Sequence, residues 1–306
     1  MTYELTLLLF FVFIVGLCWG SFLNMLAYRL SFEKPLFTMR SCCPQCGKVI
    51  AWYDNIPVVS WIALGGKCRA CKQSITKYYL FFELVTAVVM VFIVVNFLPR
   101  FFPMYYFISG DPLSLDMLQF TDGVPNNLLA HAIGSLMTAV VFFSALIAAS
   151  HADMRAMIIP QQFSIWLAPV GVVLSYFNLI CHPGLATGSI FSIHGHYLSW
   201  HMSLLGAALG YGILWIVATV FKWLTKKDGL GVGDMELLCM IGAFSGPLGV
   251  WFTLMIGSVT GMVIGGIYLV LSGHGRMTRI PFGPFLALGA AGYFFCGQQL
   301  LALLAR

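Results

Sequence analysis

Acidic side chains are nearly missing from this sequence: 11 of its 306 residues are Asp or Glu, and only 9% carry a charge of either sign. A chain that is 60% hydrophobic, with a mean hydropathy of +0.90, holds more apolar surface than a soluble core of this length can hide. That excludes a soluble globular domain and leaves a chain that crosses a membrane several times. Strand-like alternation is missing as well, which argues against a transmembrane β-barrel. No His-Glu-x-x-His motif of a metalloprotease occurs, and no serine stands in a nucleophile elbow to use His151 and Asp153. The stretch Gly229 to Gly233 lacks the Lys-Ser/Thr of a phosphate-binding loop. The repeated halves of a proton-coupled transporter are not visible.

What is present is a series of apolar runs, each near the roughly 20 residues that cross a bilayer as a helix. They lie near 5–26, 78–98, 129–151, 162–181, 200–221, 250–272 and 281–304, and a shorter one covers about 235–247. The expected fold is therefore all-α and polytopic, with about eight transmembrane helices. The first run follows Met1-Thr2-Tyr3-Glu4, which supplies no basic n-region, so it reads as a retained helix running from outside to inside. Gly16, Gly20 and Ser21 are spaced along it so that another helix can approach closely.

Basic residues set the expected orientation. Threading the runs puts Arg29 through Lys77, Arg155, Lys222, Lys226, Lys227, Arg276 and Arg279 on one side, and only Arg100 and Arg306 on the other. The richer side is expected to be cytoplasmic. The net charge of +5 follows from these juxtamembrane loops. Anionic membrane lipid is their ordinary partner, and nothing in the pattern calls for nucleic acid.

Against this apolar background two aspartates stand out, Asp153 and Asp234, each at the expected cytoplasmic end of an apolar run. Ionisable groups at membrane depth are costly and mark functional sites. Asp234 closes Gly231-Val232-Gly233-Asp234, where two glycines give the backbone freedom just before a helix. Two carboxylates brought together can share a proton and activate a water, which is the chemistry of an aspartic protease. The plainer readings are an N-cap for a helix starting at Met235 and a helix-end acid balanced by Arg155. Glu83, five residues into the second apolar run, is a third acid expected to be buried with a partner.

The polar segment at about 27–77 carries Cys43-Pro44-Gln45-Cys46 and Cys68-Arg69-Ala70-Cys71. Two such hooks, 21 residues apart, suit a tetrahedral tetrathiolate zinc site. The rival is a pair of disulfides, which a reducing cytoplasm disfavours. Cys42 offers a slipped register. Cys18, Cys181, Cys239 and Cys296 read as packing residues. Two further segments, 99–128 with Asp111, Asp116 and Asp122, and 182–199 with His182, His194 and His196, read as outer loops.

These motifs together resemble the bacterial type IV prepilin peptidases. The likeness rests on Gly20-Ser21-Phe22-Leu23-Asn24 with Tyr28-Arg29-Leu30, the hooks flanking Trp52-Tyr53-Asp54-Asn55-Ile56-Pro57, Asp153 followed by Ile159-Pro160, and Gly-x-Gly-Asp running into Met235-Glu236-Leu237-Leu238. It implies a bifunctional inner-membrane enzyme that removes the basic leader of prepilins or pseudopilins after a glycine on the cytoplasmic side. It further implies methylation of the new N-terminus with S-adenosylmethionine. Carried over by position, Asp153 and Asp234 match the catalytic pair, Cys43, Cys46, Cys68 and Cys71 the zinc cysteines, and Glu83 an acid at the start of the second helix with a possible role at the methyl donor. The expected division is 1–98 as a methyltransferase part holding the zinc loop, 99–128 as an extracytoplasmic insertion, and 129–306 as the peptidase domain. The chain departs from the family pattern in Gln161-Gln162, where Asp is usual, in Glu236, where Lys is frequent, and in the two long outer loops, which are extra. A peptidase without methylation and a non-enzymatic assembly factor using the zinc loop stay open as alternatives.

Overall fold

The computed structural model describes residues 2–36, 40–101, 128–177, 200–227, 229–272 and 280–304. Nearly all of the two expected outer loops, with their aspartates and histidines, lies outside the described residues, as do Cys181, Asp228, Arg276 and Arg279. Helices dominate and no strand occurs among the described residues, only two isolated bridges. Among the described residues, five helices are long and apolar enough to cross a membrane: Tyr3–Ser31, Lys77–Asn96, Ile133–Ala156, Trp200–Thr225 and Val232–Tyr268, with a shorter apolar helix at Gly283–Gly297. The chain divides into two compact units, Met1–Val140 and Val141–Arg306.

In the first unit, α1 (Thr2–Ser31) packs antiparallel against α3 (Lys77–Phe101). Small residues make the contact, as expected from their spacing. A Cβ on Gly16 would lie 2.6 Å from the Cα of Ala87, and one on Gly20 would lie 2.9 Å from the Cα of Glu83. One turn further on, the Asn24 amide donates to the Tyr79 carbonyl at 3.1 Å. Between the two helices sit a 3-10 turn, Trp52–Asn55, and the one-turn α2, Val59–Ala63. The opposite faces of α1 leave Phe10, Phe11 and Ile14 exposed, which suits contact with lipid tails.

The second unit takes in the C-terminal part of α4 (Leu128–Ala156), α5 (Ala168–Leu174), α6 (Trp200–Thr225), α7 (Val232–Ser272) and α8 (Gly283–Leu304). The run at 162–181 does not form one regular span. It is split into 3-10 turns at Gln161–Phe163 and Ile165–Leu167, the seven-residue α5, and a 3-10 turn at Ser175–Phe177. Ser164, at φ −123 and ψ −100, breaks the helical path between the first two turns; hydropathy counts apolar side chains and cannot see such a break.

Two helical limbs make up α7, which reverses direction at Gly246, at φ 69 and ψ −175, before Pro247. A Cβ on Gly242 would lie 2.8 Å from a methyl of Val250. Eight residues along a straight helix are separated by about 12 Å, so the two limbs fold back on each other. The two expected helices at 235–247 and 250–272 are these limbs. Every residue from Met235 to Gly246 is buried. Gly206 and Gly210 of α6 press against the carbonyls of Gly242 and Leu238, Phe142 of α4 stacks 5.2 Å from Phe244, and Phe252 of the second limb stacks on Tyr293 of α8 at 5.4 Å. The limb that carries Asp234 is thus the centre of its unit.

Candidate active site and metal centre

Asp153 sits in the last turn of α4 and Asp234 in the first turn of α7, and both line one cavity of about 240 Å³ together with Met157, Ile158, Ile159, Gly231, Val232 and Gly233. Asp153 is buried at 6% exposure. Its Oδ2 accepts a hydrogen bond of 2.8 Å from the backbone N–H of Gly283, the first residue of α8. A free helix-end acid leaning on Arg155 does not describe it. Asp234 does not cap α7 either, because the helix begins at Val232 and Asp234 lies inside its first turn, its N–H bonded to the Gly231 carbonyl at 3.2 Å. Gly233 lets the turn close over Ile159, since a Cβ there would stand 3.0 Å from the Ile159 Cβ. The cavity is open, lined by carboxylates, and of a size for water and a peptide segment. Such a pair can hold one proton between them and present an ionised base and a neutral acid to the same water.

Just outside the cavity, Glu236 is buried at 8% exposure one turn into α7. Its two carboxylate oxygens accept from Gln161 Nε2 at 3.1 Å and from Ser164 Oγ at 3.2 Å. Both donors belong to the short turns that follow Asp153 and Pro160.

The cysteines form a second, separate constellation in the first unit. The sulfurs of Cys43, Cys46, Cys68 and Cys71 all lie within 4.8 Å of one another, and Cys43 and Cys71 are 3.9 Å apart. A tetrahedron with metal–sulfur bonds of about 2.3 Å puts its sulfurs about 3.8 Å apart, so the four fit one ion. All four are free thiols, and Cys42 stays outside the cluster. The hooks are built alike. Cys43 N–H donates to Lys48 O at 2.9 Å and Cys68 N–H to Gln73 O at 2.8 Å, with a positive φ at Gly47 in one and at Lys72 in the other. Backbone N–H groups of Cys71 and Ala70 pull the Cys68 thiol down to about 6. The Gln73 N–H favours the Cys71 thiolate, but desolvation and the neighbouring thiols outweigh it and push Cys71 up to about 11. A metal bound by the cluster must displace the thiol protons that remain. Arg69 ties the second hook to the 3-10 turn through two bonds to Asp54, 2.8 and 2.6 Å, which hold the Asp54 carboxyl below its usual range.

Glu83 is buried at 7% exposure and has the partner its position called for: it accepts from the Val58 N–H at 2.9 Å. Val58 has φ 62 and ψ −54, and the Val59 N–H bonds to Pro57 O at 2.5 Å. This is a γ-turn of the rare strained hand with a β-branched residue at its centre, and the Glu83 carboxylate anchors it.

Two family models match the chain. One, described as the bacterial peptidase A24 N-terminal domain, covers residues 14–97; the other, described as the type IV leader peptidase family, covers 140–266. A curated protein of Xanthomonas campestris pv. campestris is 31% identical over 310 residues, spanning 94% of this chain and 91% of its own. Relatives from Stutzerimonas stutzeri, 30% identical over 94% of this chain and 91% of its own, and Pseudomonas aeruginosa, 29% over 94% and 90%, carry the same name, prepilin leader peptidase/N-methyltransferase. The chain belongs to the type IV leader peptidase family. No solved structure matches it.

Within this family frame the thiol cluster and Glu83 fall in the first matched stretch, and Asp153 and Asp234 in the second. Two of the residues named above as departing from the family pattern, Gln161 and Glu236, are bonded to each other. Reading the sequence missed that contact and missed Gly283. The available signal for Gly283 was Pro281-Phe282-Gly283-Pro284, a glycine between prolines at the mouth of an apolar run. Among the remaining cysteines, Cys239 is buried as a packing residue should be, whereas Cys18 and Cys296 are exposed.

Proposed function

We propose that this protein is a prepilin leader peptidase of the bacterial inner membrane that cuts the basic leader from type IV prepilins or pseudopilins after a glycine. It then N-methylates the exposed residue. The observation that carries the peptidase reading is the pair Asp153 and Asp234 on one cavity, with Asp153 held by the Gly283 N–H. One carboxylate takes a proton from the attacking water while the other, protonated, donates to the scissile carbonyl; the roles exchange as the amine leaves. The substrate's apolar segment lies among the helices and its basic leader stays at the rim. The basic loops put that rim on the cytoplasmic side.

Cys43, Cys46, Cys68 and Cys71 would hold a structural zinc, which when bound would fix the fold of the loop. The reading divides the chain into 1–98 as the methyltransferase part, 99–128 as an extracytoplasmic insertion, and 129–306 as the peptidase. S-adenosylmethionine supplies the methyl group, and the strained turn anchored by Glu83 lies in the part assigned to that chemistry. The test is a purified enzyme, a leader-bearing prepilin and mass spectrometry of the product N-terminus with and without the methyl donor. Cleavage after glycine with a mass gain of one methyl is expected. An intact leader overturns the reading, and a cleaved but never methylated product reduces it to a peptidase alone.

A further inference from the structure

The catalytic pair proposed above comes from two helices whose sequence positions are far apart, so something must hold the end of α4 against the start of α7. Backbone packing does part of this, through Gly233 on Ile159. The remaining polar link is Glu236. It stands two residues beyond Asp234, is almost fully buried, and spends both carboxylate oxygens on Gln161 and Ser164. Ser164 is itself completely buried and has the off-helical backbone that splits the 3-10 turns. The Gln161 side chain extends from two residues beyond Ile159, so it reports the position of the Met157–Ile159 wall of the cavity.

We infer that Gln161, Ser164 and Glu236 form a clasp that sets the spacing of Asp153 and Asp234, with all three as positioning residues that do not touch substrate. This rests on the peptidase reading and deepens it. The physical argument is one of replacement cost. A buried carboxylate that loses its donors is left desolvated and unpaired. It then either takes up a proton or moves toward water, and in the second case the first turn of α7, with Asp234 on it, moves too. The clasp differs from a general packing contact in being exchangeable: an amide and a carboxylate can trade places and keep the bond, whereas two carboxyl groups keep it only by taking up a proton.

The exchange supplies the test, using the full-length enzyme in detergent with a leader-bearing prepilin. Gln161→Glu sets two buried acids against each other and should lower kcat by about tenfold or more with KM within about twofold. Glu236→Gln keeps one bond to Gln161 and should lose less. The double variant, Gln161→Glu with Glu236→Gln, restores an acid and an amide in reverse order and should return kcat to within about threefold of the unmodified enzyme. Thermal unfolding of each variant separates a folding loss from a positioning loss. A Gln161→Glu enzyme with unchanged kcat overturns the clasp, as does a double variant no better than the worse single. An unmodified enzyme that leaves the leader intact removes the peptidase reading and the clasp with it; unmodified cleavage with indifferent variants removes the clasp alone.

Discussion

The thiol cluster and the carboxylate cavity are built on opposite plans. Each half of the cluster is a hook of four residues whose hydrogen bonds close within six positions, and Cys43 and Cys71, whose sulfurs stand 3.9 Å apart, are 28 residues apart. The cavity gathers its parts over far greater separations: Gln161 and Glu236 are 75 residues apart, and Asp153 and Gly283 are 130 apart. A local site is fixed by chain geometry and by the metal that folds it. A distributed site is only as good as the packing of several helices, and small errors there spread to the reacting groups.

That contrast predicts which substitutions stay within one site. The largest effect belongs to the pair itself: Asp153→Asn or Asp234→Asn should each abolish leader cleavage, by about a thousandfold or more, because the two work as a unit. Zinc content, measured by elemental analysis, should stay near one per chain in both. If either variant cuts at close to the normal rate, the pair is not the catalytic centre.

Next comes Gly283→Val. A Cβ at Gly283 would lie 2.9 Å from Asp153 Oδ2 and 3.2 Å from Ile159 Cδ1, so the carboxylate must shift. A drop of about a hundredfold in kcat is expected for a displacement of order 1 Å, again without loss of zinc. Normal turnover in Gly283→Val would mean that the bond from α8 is incidental.

Smaller for cleavage, but decisive for the comparison, is the replacement of Cys43 and Cys46 by Ser. The double variant should lose its metal and reduce methylation of the product more than cleavage, as read by mass spectrometry of the mature N-terminus. Fully methylated product from a zinc-free enzyme would separate the loop from methyl transfer. The smallest effect is expected from Arg69→Ala. This ion pair is solvent-facing on the arginine side, with Arg69 60% exposed, and surface pairs contribute little. Cleavage and methylation should be unchanged, with somewhat faster metal loss to a chelator as the only trace.

The same contrast explains what could be read from the sequence. Cys43, Cys46, Cys68 and Cys71 announced a four-sulfur site because spacing alone determines it. Asp153 and Asp234 stood out through the scarcity of other acids, and the close approach of α1 and α3 was legible in Gly16 and Gly20. The supports were not. Gly283 contributes a backbone N–H, which every non-proline residue has, and Gln161 and Glu236 looked like unrelated departures until folding placed them in contact. The broken run after Pro160 was misread because apolar content carries no information about a single residue such as Ser164 leaving the helical region. The reversal at Gly246 was legible only as a boundary between two runs, Gly-Pro being a strong punctuation signal.

The limb that begins at Val232 and ends before Gly246 spans 14 residues, which is about 21 Å of helix, against about 30 Å of hydrocarbon in a typical bilayer. A lipid-facing helix of that length would tilt, thin the bilayer or drag its flanks to compensate. This one is buried from Met235 to Gly246 and meets protein where a spanning helix would meet lipid. The depth of Asp234 is therefore set by its neighbours' side chains and is uncoupled from membrane thickness, and turnover should hold steady when the acyl chains around the enzyme are made longer or shorter.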